Sequence, residues 1–160
     1  MPAVLFGYGL GALIGITIGG RTADRYPRAI LGFGFAGLLI TSALLAFAAA
    51  HLVATIVLVF ALGLIGFSTN PALNSRFMAI APNAPTLAVS GNISAFNIGI
   101  TAGPWLGGLA LTAGYDYPAV PAIGAAVAAI ALALWGWDLI IQTRQHRAHA
   151  PTLEPTGARG

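Results

Sequence analysis

The sequence predicts an all-α membrane protein with five transmembrane helices, its N-terminus outside and its C-terminus in the cytoplasm. Three observations carry that prediction. Hydrophobic residues make up 58% of the 160-residue chain and charged residues 7%, against about a quarter charged in an average soluble domain. Two long stretches contain no Lys, Arg, Asp or Glu. The seven basic residues are all arginine, and they fall at three places in the chain.

The first span is Pro2 to Gly20. The charge-free run from Ala29 to Ser75 follows. As one helix it would measure roughly 70 Å, over twice a hydrocarbon core, so it must fold back on itself. His51 is its only titratable residue and marks the turn, which gives helices near 29–49 and 52–73. The second charge-free run, Phe77 to Tyr115, opens with Pro82, Asn83 and Pro85, which are turn residues. A helix near 86–113 is expected after them. The loop that carries Asp116 leads to a last helix near 119–141. Residues 1–142 thus form a helix bundle, and 143–160, polar and rich in Pro and Gly, read as a disordered cytoplasmic tail.

The arginines test this topology. Arg21, Arg25 and Arg28 follow the first helix, Arg76 the third, and Arg144, Arg147 and Arg159 the fifth. In a five-helix chain these places share one side, and the positive-inside rule makes that side cytoplasmic. Nothing basic precedes the first span, so it is not a signal peptide. An odd number of spans starting outside points to further helices upstream.

Most site chemistry is excluded. The net charge of +3 rests on few arginines scattered among apolar runs, which does not describe a nucleic-acid surface. There is no cysteine, hence no disulfide or thiolate metal site. The three histidines lack acidic partners at ligand spacing, so neither a metal centre nor a catalytic cluster is expected. Asp138 is the one acidic residue inside a predicted span. It lies near the inner end and reads as a boundary residue rather than a proton relay.

Two glycine stripes stand out: Gly7, Gly11, Gly15 and Gly19, then Gly99, Gly103 and Gly107. Small residues every fourth position let helix backbones approach closely in lipid. Static packing and sliding surfaces both need that pattern, and the sequence does not separate them. Pro104 lies within the second stripe and should kink its helix. Asn70 and Asn74 lie near the inner end of the third helix, and Asn92, Ser94, Asn97 and Thr101 on the fourth. Intramembrane polar groups face a bundle interior or a water-filled cavity. Interhelical hydrogen bonding is their first reading; the alternative is lining a solute pathway, for which Asn92, Phe96 and Asn97 are the candidates.

The stretch Gly20-x3-Asp24-Arg25-x2-Arg28 resembles the loop signature of the major facilitator superfamily, with Pro27 where the family usually has glycine. Gly99-x3-Gly103-Pro104-x2-Gly107-Gly108 looks like that family's antiporter signature. The wider segment is similar to the twelve-helix drug:proton antiporter branch, of the chloramphenicol-resistance and sugar-efflux permease types. The resemblance covers residues 1–142 and implies helices 8–12 of a major facilitator fold, with helices 1–7 missing from this half. It implies that Asp24 latches the inner side, against the helix after Pro85, with Arg25 and Arg28 facing the anionic leaflet or pairing with it. It further implies a secondary transporter in the cell inner membrane, exporting a drug or other small molecule, with the proton gradient as energy source and no cofactor. The other reading is a truncated, non-transporting membrane protein, or a structural subunit packed on another bundle. A membrane-embedded enzyme has little support.

Overall fold

A computed structural model describes residues 2–23, 25–48 and 51–148. They form five helices: α1 (Pro2–Thr22), α2 (Pro27–Ala48), α3 (Leu52–Ile80), α4 (Pro85–Thr112) and α5 (Ala119–Ala148). Asp24 and the tail 149–160 lie outside the described residues.

Local chemistry explains the breaks. Pro27 and Pro85 each sit at the first position of a helix. There the fixed φ suits helix entry, and the missing N–H had no intrahelical partner. Ala81 precedes Pro82, which disfavours continued α backbone, and Ala84 N closes a turn on Ala81 O at 3.1 Å. After α4 the chain makes a Schellman cap. Tyr115 N–H reaches Ala110 O and Gly114 N–H reaches Leu111 O, both at 3.1 Å. Gly114 has φ 87°, a value that glycine adopts without strain.

Two ends differ from the sequence expectation. Apolar character predicts an end near 73, but α3 runs to Ile80. Polarity in "NSR" ends an apolar span, yet it does not break a helix; Pro82 does. Likewise the sequence predicts an end near 141 and a disordered tail from 143, but α5 continues to Ala148. Gln, Arg and Ala are good helix formers, and the next breaker is Pro151.

Four of the five helices are long and apolar enough to cross a membrane. The fourth, α4, has the length, at 28 residues, but not the hydropathy. Helix α3 is central and touches α1, α2 and α4, while α5 packs on α2 and α4. The buried core is made of small residues, among them Gly11, Gly15, Gly19, Gly34, Gly63 and Ala72, and among the described residues Leu31 is the one large side chain fully buried. Large apolar side chains such as Phe33, Phe47 and Leu134 point outward. That inversion suits a lipid solvent, where close backbone approach rather than hydrophobic burial joins helices.

The α1–α3 seam shows this best. A Cβ on Gly11, Gly15 or Gly19 would run into the carbonyl oxygen of Phe60, Leu64 or Ser68, respectively. Each partner is 49 positions further along the chain, so the two helices run parallel with matched four-residue ridges. Gly63 returns the fit from the α3 side: a Cβ there would lie 2.5 Å from Tyr8 O.

Candidate functional site

Alternating helix directions bring the start of α2, the end of α3 and the last turns of α5 to one end of the bundle. Four polar side chains meet there. The Arg76 guanidinium pairs with the Asp138 carboxylate, α3 to α5. One turn later on α5, Gln142 Nε2 donates to both Asp138 oxygens, at 3.1 and 3.0 Å. Gln142 Oε1 in turn accepts from Arg28 Nη2 of α2 at 3.2 Å. Arg28 thus donates to Gln142, and Gln142 and Arg76 both donate to Asp138, which ties three helices together. With Asp138 44% exposed and Arg76 20% exposed, the ion pair contributes on the order of 1 kcal/mol or less. Its value lies more in tying α5 to α3, two helices that do not otherwise pack on each other among the described residues.

Asp138 therefore does more than mark a boundary. Neither its partner Arg76 nor the bridging Gln142 was singled out from the sequence. The available signal was two lone opposite charges, each beside a long apolar run. Within the loop signature, Arg28 joins this network. Gly20 is exposed, with nothing within 4 Å of an added Cβ among the described residues. Arg25 is exposed and lies 6.0 Å from the ring centroid of its neighbour Tyr26.

A second polar constellation joins α3 to α4. Asn74 Nδ2 donates to Asn70 Oδ1 at 2.9 Å, and Asn92 Nδ2 donates to Asn74 Oδ1 at 2.7 Å. All three are partly buried. Asn74 acts as donor and acceptor at once, which makes this a ladder of three amides pointing one way. It sits beside Pro71, which has no N–H to give the carbonyl one turn back.

The three candidate pathway residues do not share a face. Asn92 turns toward α3. Phe96, about 40° away around the helix, is 45% exposed. Asn97, about 140° from Asn92, lines a shallow cavity of ≈ 420 Å³ with Ile98, Thr101, Ala102 and Trp105. Every residue from Ile93 to Thr101 is exposed. Among the described residues, the Asn97 amide has no hydrogen-bond partner, although its backbone oxygen accepts from Thr101 Oγ1 at 3.0 Å.

The glycine motif of α4 is split in the same way. Gly107 is buried, and a Cβ on it would lie 3.2 Å from Val120 Cγ1. Gly99, Gly103 and Gly108 have nothing within 4 Å among the described residues. Pro104 lies inside the helix between them. Helix α4 is thus held at both ends, by Asn92 on α3 and Gly107 against α5, and its middle stands free of the other four helices.

Comparison with known proteins agrees with the motifs. The sequence model of the Major Facilitator Superfamily matches residues 2–157. An inner membrane transport protein of Escherichia coli, YdhP, is 36% identical over 84% of the chain and 34% of its own length. A chloramphenicol resistance protein of Streptomyces lividans is 37% identical over 61% of the chain and 25% of its own length. A chloramphenicol efflux pump of Mycobacterium tuberculosis is 30% identical over 95% of the chain and 37% of its own length. The chain therefore spans roughly a quarter to two-fifths of these relatives. No solved structure matches it.

Proposed function

This chain belongs to the Major Facilitator Superfamily and is a multi-pass membrane protein, and on that premise we propose that it is part of a secondary transporter exporting a small molecule. A chloramphenicol-like drug is the favoured substrate, on the printed functions of two relatives. The proton gradient is the proposed energy source, without a cofactor. The arginine-bearing end is the cytoplasmic one, the N-terminus lies outside, and the host membrane is the cell inner membrane.

One observation carries the reading. The middle of α4 is exposed all round from Ile93 to Thr101, and it holds Asn97 with an unpartnered amide among the described residues. An amide left without hydrogen bonds in an apolar medium costs roughly 1–3 kcal/mol on protein data. Lipid is therefore a poor neighbour for that surface. Water in a solute pathway, or polar groups from the remainder of the transporter, would satisfy it. Asn97 and Phe96 are then substrate-side residues, and Asn92 holds α4 in place through Asn74. Gly99, Gly103, Pro104, Gly107 and Gly108 form the segment along which α4 moves in alternating access. Asp24, with Gly20, Arg25 and Arg28, provides the inner latch.

The test is efflux of radiolabelled chloramphenicol from cells expressing the full-length protein, with Asn97→Ala beside the parent. The proposal expects efflux several-fold slower at equal membrane abundance. Efflux equal to the parent would remove Asn97 from the pathway.

A further inference from the structure

At the arginine-bearing end, a cleft of ≈ 270 Å³ opens between α2, α3 and α5. Its lining is amphipathic. Arg28 and Arg76 are its charged residues, and Ser75 and Gln142 are the other polar ones. Pro27, Leu31, Ala79 and Ile80 make the rest of the wall. The first turn of α2, with its outward N–H groups, adds positive potential at the same mouth.

Depth in the membrane says what meets this cleft. Helix α3 has 29 residues, about 43 Å of helix at 1.5 Å per residue. The hydrocarbon core takes about 30 Å. The last turns of α3, which carry Ser75, Arg76, Ala79 and Ile80, therefore lie at headgroup level.

Charge bookkeeping points the same way. Asp138 offsets one of the two arginines, and among the described residues the partner of Arg28 is the neutral Gln142. Among the described residues the cleft keeps an excess positive charge above an apolar floor. Basic pockets between transmembrane helices at this depth suit anionic lipid headgroups.

We propose that this cleft is a binding site for the phosphate of an anionic phospholipid. The phosphodiester lies between Arg28 and Arg76, and the first acyl segment lies along Leu31, Ala79 and Ile80. Arg28 is the main contact, because Arg76 already holds a carboxylate. Bound lipid would bridge α2 and α3 beside the Arg28–Gln142 link and stabilise that end of the bundle.

The test is native mass spectrometry of the full chain, released from detergent with phosphatidylglycerol, with phosphatidylcholine of the same acyl chains, or with inorganic phosphate. The site predicts one tightly retained phosphatidylglycerol, favoured about tenfold over phosphatidylcholine, and no retained inorganic phosphate. Arg28→Gln should weaken retention about fivefold, near the contribution of one arginine at a membrane surface. Ala79→Trp leaves every arginine in place but fills the cleft, and should weaken retention similarly. Arg144→Gln, an exposed charge outside the cleft, should leave it unchanged. Equal losses for Arg28→Gln and Arg144→Gln would mean diffuse attraction to a basic surface and overturn the proposal. So would undiminished retention in Ala79→Trp, equal retention of both lipids, or displacement of phosphatidylglycerol by millimolar phosphate.

Discussion

Arg76 on α3 and Asp138 on α5 form an ion pair across 62 positions of sequence, and Gln142 extends it to Arg28 on α2. The pair is the charged centre of a network that fixes three helices at one end of a bundle whose closest seam is made of small residues. A charge swap tests it. Arg76→Ala and Asp138→Ala should each lower the melting temperature in mild detergent by about 2–4 °C, the range expected for roughly 1 kcal/mol in a chain of this size. Arg76→Asp combined with Asp138→Arg should recover most of that loss. Equal losses in the singles and the swap would mean that the groups do not act on each other.

The α1–α3 seam makes a graded prediction among glycines of one helix. Gly15→Ala sets a methyl against the Leu64 backbone, which cannot move aside cheaply, and overpacking of this kind costs about 1–3 kcal/mol. Gly9→Ala, with open space among the described residues, should be neutral or slightly stabilising through helix propensity. Thermal unfolding of the two variants side by side reads the difference. Equal effects would put α1 elsewhere than on α3.

The amide ladder predicts coupling between Asn74 and Asn92, but not between Asn92 and Asn97. A double-mutant cycle with alanine at 74 and 92 should give about 0.6 kcal/mol, up to about 1.7, as for other interhelical hydrogen bonds in membranes. The same cycle on 92 and 97 should give nothing measurable. Coupling of the second pair alone would reverse the assignment of faces on α4.

Asp24 is tested by function. Asp24→Asn in the full-length transporter should slow efflux at normal membrane abundance, because the neutral side chain cannot use a helix dipole as a carboxylate does. Unchanged transport would remove the latch role.

Much of the helix plan was legible from the residues. Pro82, Asn83 and Pro85 announced a turn by their own backbone chemistry, and the four-residue glycine repeat of α1 announced a close seam. The partners were not legible. Phe60, Leu64 and Ser68 contribute backbone carbonyls to that seam, and a carbonyl leaves no mark in the sequence. The repeat Gly99, Gly103 looks the same as Gly11, Gly15, yet among the described residues it faces open space, because periodicity describes one helix and not its neighbour. Arg76 and Asp138 could be paired only once α3 and α5 were placed. The helix ends at 80 and 148 were missed because the loss of apolar character was taken as the loss of helix. The spacing of Asn92 and Asn97 was readable: five residues span about 140° beyond a full turn, so one face could not hold both.

The most direct measurement uses the absence of cysteine from the chain. Asn97→Cys, and Leu134→Cys as the lipid-side comparison, are exposed to a membrane-impermeant maleimide in intact membranes of the full-length transporter freed of any other cysteine. Leu134 is 66% exposed on α5, in an apolar run from Val127 to Trp137 that stops at Asp138, one turn further on. A solute pathway along α4 predicts fast labelling at 97, slowed by saturating chloramphenicol, and little labelling at 134. Labelling at 97 as slow as at 134, or unaffected by the drug, would contradict a pathway along α4.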